Sequence, residues 1–102
     1  MTKRILFDPA AIADLKGIAH DIAADNPRRA GTFVDELETR CTDLDQFPAR
    51  GMLDPDAGDD IRRLVHGEYV IYYHFAGLDV TIMRILHGRR DRSHLGLKSP
   101  ET

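Results

Sequence analysis

Apolar residues change their spacing twice along this chain. Lys3-Arg4-Ile5-Leu6-Phe7 reads as a short strand. Asp8-Pro9 then starts a helix, because Asp caps free N–H groups and Pro is preorganised for the first helical position. Ile12, Leu15, Ala19 and Ile22 follow at steps of three and four, on one helix face, and Ile18 widens that stripe. Asp25-Asn26-Pro27 breaks the pattern and caps a second helix, whose stripe is Ala30, Val34, Leu37, Cys41 and Leu44 with Phe33 beside it. Phe47-Pro48-Ala49-Arg50-Gly51 ends it. So short a break between two amphipathic helices implies an antiparallel helical hairpin.

After an acidic loop from Met52 to Asp60, period 2 takes over. Residues 61–66 form a strand, Gly67-Glu68 a tight turn, and residues 69–75 a β-branched and aromatic strand with bulk on both faces. A second turn at Ala76-Gly77-Leu78-Asp79 leads into the last strand, residues 80–86. The order is β-α-α-β-β-β. Strands and helices segregate, so the expected class is α+β, with the helical hairpin packed on a small antiparallel sheet.

A length of 102 residues gives one domain over residues 1–102, with 92–102 read as a flexible tail. No apolar run approaches the roughly 20 residues of a membrane helix. The N-terminus is too poor in apolar residues for a secretory signal. One cysteine excludes an internal disulfide, and a reducing cytoplasm is the expected location. The net charge of −3 divides unevenly. Residues 1–60 hold thirteen Asp/Glu against seven Lys/Arg, and residues 61–102 hold four against seven. The balance is therefore −6 and then +3. An acidic body with a basic end points to one local anion-seeking or acid-seeking surface, not to a DNA coat.

Several segments carry a resemblance. They are Pro9-Ala10, Asn26-Pro27, Leu44-Asp45-Gln46-Phe47-Pro48, the run from Ile61 to Tyr73, and the run from Val80 to Asp91 with Arg84-Ile85-Leu86-His87-Gly88-Arg89-Arg90. In that order and spacing the chain resembles the ParE/RelE superfamily of type II toxin–antitoxin toxins, and within it the ParE branch, over about residues 3–92. The resemblance implies the same β-α-α-β-β-β architecture. It also implies neutralisation by a ParD-like antitoxin that binds DNA itself, so that the toxin meets DNA only indirectly. ParE toxins are associated with poisoning of DNA gyrase, and RelE-type toxins with mRNA cleavage. Fold likeness alone does not choose between them.

Metal-free RNA cleavage needs a proton acceptor, a charge stabiliser and a proton donor. Arg62, Arg63, Arg84 and His87 are the candidates, with His87 as acid–base. The acidic, lysine-free loop before Ile61 opposes this, since it repels phosphate. So does the lack of a tyrosine after His87. The structural alternatives are that Arg62 or Arg63 pairs with Asp59 or Asp60, that Arg84 pairs with Asp79 or Glu68, and that His87 bonds local backbone. The histidines and single cysteine lack metal-ligand spacing, and no cofactor is implied.

A gyrase-binding toxin is therefore the first expectation. A RelE-like ribonuclease centred on His87, Arg62 and Arg84 is the alternative, and a non-toxic antitoxin-binding co-regulator the third. Antitoxin contact is expected from Leu15, Ile18, Ile22, Phe33, Leu37, Tyr72, Arg84, Arg89 and Arg90. Arg84 also stands as a structural candidate. Tyr72 enters because Tyr72 and Tyr73 point to opposite faces, so one ring is expected on sheet surface left bare by the helices. Target contact is expected from Arg89, Arg90, Arg92, His94 and Leu95.

Overall fold

Asp8 and Asn26 begin the two helices as their side chains predict. In the computed structural model, which describes residues 3–88 and Leu97, the Asp8 carboxylate accepts from the Ala10 N–H at 2.9 Å. The Asn26 side chain accepts from the Arg29 N–H at 3.0 Å. Each residue precedes a proline at the first helical position, where the missing N–H has no cost. The elements run β1 (Arg4–Phe7), α1 (Pro9–Ala23), α2 (Pro27–Thr42), a 3-10 turn (Asp43–Asp45), β2 (Met52–Leu53), β3 (Arg62–His66), β4 (Tyr69–Ala76) and β5 (Asp79–His87).

Two helices therefore pack on a five-stranded sheet of order β1-β5-β4-β3-β2. Three of its pairings are antiparallel, but β1 lies parallel to β5, so the sheet is mixed and not purely antiparallel. β2, hidden in the acidic loop, pairs Met52 with Arg63 and Leu53 with Arg62. Gly67 and Gly77 sit at φ +60° and +56° in the two hairpin turns, a conformation that favours glycine.

The sheet is covered on both faces, which explains the aromatic and branched bulk of β4. The helix side holds the larger core, joining Ala11, Ile18, Phe33, Leu37, Cys41 and Leu44 to Leu64, Tyr69, Ile71, Tyr73, Val80, Ile82 and Ile85. On the other face Ala57 and Ile61 fold over Val70, Tyr72, Met83 and Leu86, and Leu97 packs against them. The Leu97 N–H donates to the Ala57 carbonyl at 2.6 Å.

β5 changes phase midway. Tyr72 aligns with Arg84 and Tyr73 with Ile82, so Met83 is one residue extra. Strict alternation puts Ile82 and Ile85 on opposite faces; the bulge lets both reach the helical core.

Candidate functional site

Three groups of side chains gather the residues that sequence reasoning singles out. The first lies where β1 stops. β1 pairs with β5 only as far as Phe7 opposite Ile82, and the chain then turns into α1. The next stretch of β5 has no strand on that side. Asp14, on the second turn of α1, takes the strand's place. Its Oδ2 accepts the Ile85 N–H at 2.9 Å and Arg84 Nε at 2.8 Å, and its Oδ1 accepts Arg84 Nη2 at 2.9 Å. A bidentate, charge-assisted pair with one backbone donor added is strong and orientation-specific. A cleft of about 170 Å³ opens beside it, lined by Ala13, Gly17, Ile18, Asp21, Tyr69 and Ile85 among others.

The second group crosses the far end of the sheet. The His87 ring meets Tyr69 edge-on at 5.4 Å, Tyr69 meets Phe33 at 5.6 Å, and Phe33 meets His66 at 5.5 Å. Glu36 of α2 links this row to solvent, bonding His66 Nε2 at 3.2 Å and Arg29 Nη1 at 2.5 Å. The hydrogen bond from Arg29, then that from His66, holds the Glu36 carboxyl below its usual range.

The third group lies at the opposite end. Arg62 Nη1 donates to the Gly51 carbonyl at 2.7 Å, and its guanidinium lies 5.4 Å from the Phe75 ring centroid. Lys3 approaches the same ring at 5.8 Å and donates to the Gly77 carbonyl. Arg50 lies 5.2 Å from the Phe47 ring. Between the two phenylalanines is an apolar pocket of about 570 Å³, lined by Gln46, Phe47, Pro48, Ala49, Arg50 and Phe75.

Residues 5–92 match the family described as the ParE toxin of the type II toxin–antitoxin system parDE. The chain belongs to the ParE toxin family. A chain of the chromosomal ParDE system from P. aeruginosa has a similar fold, with a TM-score of 0.73 at 20% identity, covering 84% of this chain and 96% of that one. No curated protein matches the sequence.

This ParE-family fold does not gather Arg62, Arg84 and His87 at one point. Arg62 lies in the row Arg62–Tyr73–Ile82, and His87 in the row His66–Tyr69–His87, roughly 15 Å away along the strands. The structure also changes the expected partners. Arg84 pairs with Asp14, while Asp79 pairs with Arg4 at 2.8 Å. Arg62 bonds Gly51, not Asp59 or Asp60. His87 faces Glu68 at 3.7 Å and Tyr69.

Of the expected antitoxin contacts, Leu15 and Ile22 are half-buried at the margin of the core. Ile18 and Phe33 are buried, with Ile18 on the wall of the cleft beside α1. Leu37 is fully enclosed. So is Tyr72, because the loop over β4 and Leu97 cover the sheet face where an open ring was expected. Arg89, Arg90, Arg92, His94 and Leu95 lie outside the described residues. Asp14 escapes sequence reasoning. One acidic residue on a helix carries no signal without the strand register.

Among the described residues of this ParE-family chain, no group of three or more His, Cys, Asp or Glu is placed to hold a metal ion. No helix among them is long and apolar enough to cross a membrane. Burial pushes the Cys41 thiol up to about 12. The thiolate is the reactive form, so native Cys41 is expected to resist iodoacetamide at pH 8 and to label rapidly in denaturant. Labelling at equal rates in both states contradicts this burial.

Proposed function

We propose that this chain is the toxin of a ParD-like antitoxin pair and that it inhibits DNA gyrase by protein–protein binding. The observation that carries the reading is the family match across residues 5–92. Family membership in a ParDE system implies an antitoxin partner. The geometry supports a binding protein, since Arg84 is held by Asp14, and Arg62 is held by Gly51 in a row of the sheet remote from His87.

The antitoxin contact is proposed along the cleft between α1 and the free edge of β5. There Ile18 lines the wall, and Leu15 and Ile22 stand at the margin. An amphipathic helix presents anchors at matching spacing. Arg89 and Arg90 are proposed to meet acidic residues of the same antitoxin. Together with Arg92, His94 and Leu95, they are also proposed to contact the target. Complementary charge raises association rate and selectivity more than affinity.

Expression in a bacterium without antitoxin tests the activity. The expected result is arrested growth with DNA breaks, induced damage signalling and intact mRNA. Purified protein is expected to inhibit gyrase supercoiling. Rapid mRNA cleavage without DNA breaks would replace the proposal with a ribonuclease, and normal growth would replace it with a co-regulator. Co-expression with a ParD-like partner is expected to restore growth, and Arg89→Glu with Arg90→Glu to weaken that rescue.

A further inference from the structure

The pocket at the end of β4 joins an apolar lining to a ring of cations. It is apolar, with Phe47 and Phe75 as walls and Pro48 and Ala49 between them. Phe47 is 57% exposed, a large ring left in water on a short loop. Three cations are posted around it. Lys3 and Arg62 both lie against the Phe75 ring, and Arg50 lies against Phe47. Among the described residues none of the three pairs with a carboxylate. Arg62 is spent on the Gly51 carbonyl and Lys3 on the Gly77 carbonyl, both neutral groups. Among the described residues these three cations face rings and neutral carbonyls, on a chain whose net charge is −3.

We infer that this pocket seats an apolar side chain presented by an acidic peptide segment of a partner protein. The volume of about 570 Å³ accommodates a leucine or phenylalanine side chain with room to spare. Carboxylates flanking that anchor meet Arg50 on one side and Lys3 with Arg62 on the other. The cations are already held against aromatic faces, so little side-chain freedom is lost when a carboxylate arrives. Single-stranded nucleic acid also stacks on aromatic rings beside cations. The acidic body of this chain opposes it, because a phosphate backbone brings a charge at every nucleotide and a peptide brings only the few that match. The assignment stands on the pocket and does not require the gyrase reading.

The experiment is an amide-shift titration of the full-length ¹⁵N-labelled chain. The probe is a short synthetic peptide of alternating Glu and Leu with one central Phe. Comparisons are the same peptide with every Glu replaced by Gln, and a single-stranded DNA oligonucleotide of equal length. Saturable shifts at residues 46–51 and 73–77, weakening with added salt, are expected. The Gln peptide is expected to bind about tenfold more weakly. Arg50→Glu and Phe47→Ala, both at exposed positions, are each expected to lose about tenfold in affinity while amides of the helical hairpin stay unmoved. Absence of shifts, equal binding of the Gln peptide, shifts confined to other surfaces, or stronger displacement of the same amides by DNA would each overturn the assignment.

Discussion

Replacing Asp14 by alanine is expected to destabilise the fold by about 2–3 kcal/mol. The carboxylate accepts two bonds from Arg84 and one from the Ile85 N–H. Its removal takes two bonds from the Arg84 guanidinium and the side-chain acceptor from the Ile85 strand amide. For a domain of this size the melting temperature is expected to fall by roughly 10–20 °C. Urea unfolding is expected to show a lower midpoint at unchanged slope. Arg84→Met is expected to cost less, since Asp14 keeps the Ile85 N–H. The double variant Asp14→Leu with Arg84→Met is expected to recover much of the loss, because no charge is then left stranded. A change within about 0.5 kcal/mol for Asp14→Ala, the ordinary range of a surface site, excludes this role.

Gly51→Ala is expected to destabilise by about 3 kcal/mol, at the upper end for overpacking. An added Cβ meets the Arg63 carbonyl at 2.6 Å, Tyr73 Oη at 2.7 Å and Tyr73 Cε1 at 2.8 Å. The carbonyl belongs to a strand paired on both sides, and the Tyr73 ring is fully buried, so neither yields easily. Tyr73 Oη also accepts from the Gly51 N–H at 2.8 Å and donates to the Pro48 carbonyl at 2.7 Å. Tyr73→Phe alone is expected to cost about 1–2 kcal/mol through those two lost partners. The double variant is expected to cost less than the sum, because one of the three collisions goes with the hydroxyl. Burial also raises the Tyr73 phenol above its usual range. The unfolded chain then gives up that proton first as pH rises through about 10, so stability falls with alkalinity above this point. Tyr73→Phe lacks that component of the fall. Calorimetry across this range, with the variant as control, measures it.

Local signals were legible wherever one residue decides its own surroundings. Asp8-Pro9 and Asn26-Pro27 cap as their chemistry demands, and Gly67 and Gly77 take the turns. The stripe of α2 is also close to the observed core. On α1 it drifts by one residue. Ile12 is 43% exposed and Ala11 is fully buried, because the helix lies so close to the core there that a methyl group fits and a larger side chain is turned outward.

Long-range facts were not legible. The two residues of β2 are too few to show a period. The parallel union of β1 with β5 joins positions some 75 residues apart, as Arg4 opposite Asp79 shows. Arg84 illustrates the same limit. Asp79 or Glu68 was its expected partner, but the register places Asp14 against it, 70 residues away. The covering of Tyr72 needs Leu97 to return across the far face, which no pattern within residues 61–86 encodes.

The position of β5 also bears on how this protein is made. It is the last strand among the described residues, yet it lies between β1 and β4, in contact with the first element of the fold. A chain that stops short of Asp79 has the helical hairpin and β2 to β4 but lacks the strand that joins β1 to them. Pairings of such sequence separation close late and slowly. The sheet therefore closes only once β5 is in place, and a chain cut before Asp79 is expected to leave β4 as an open edge to proteases.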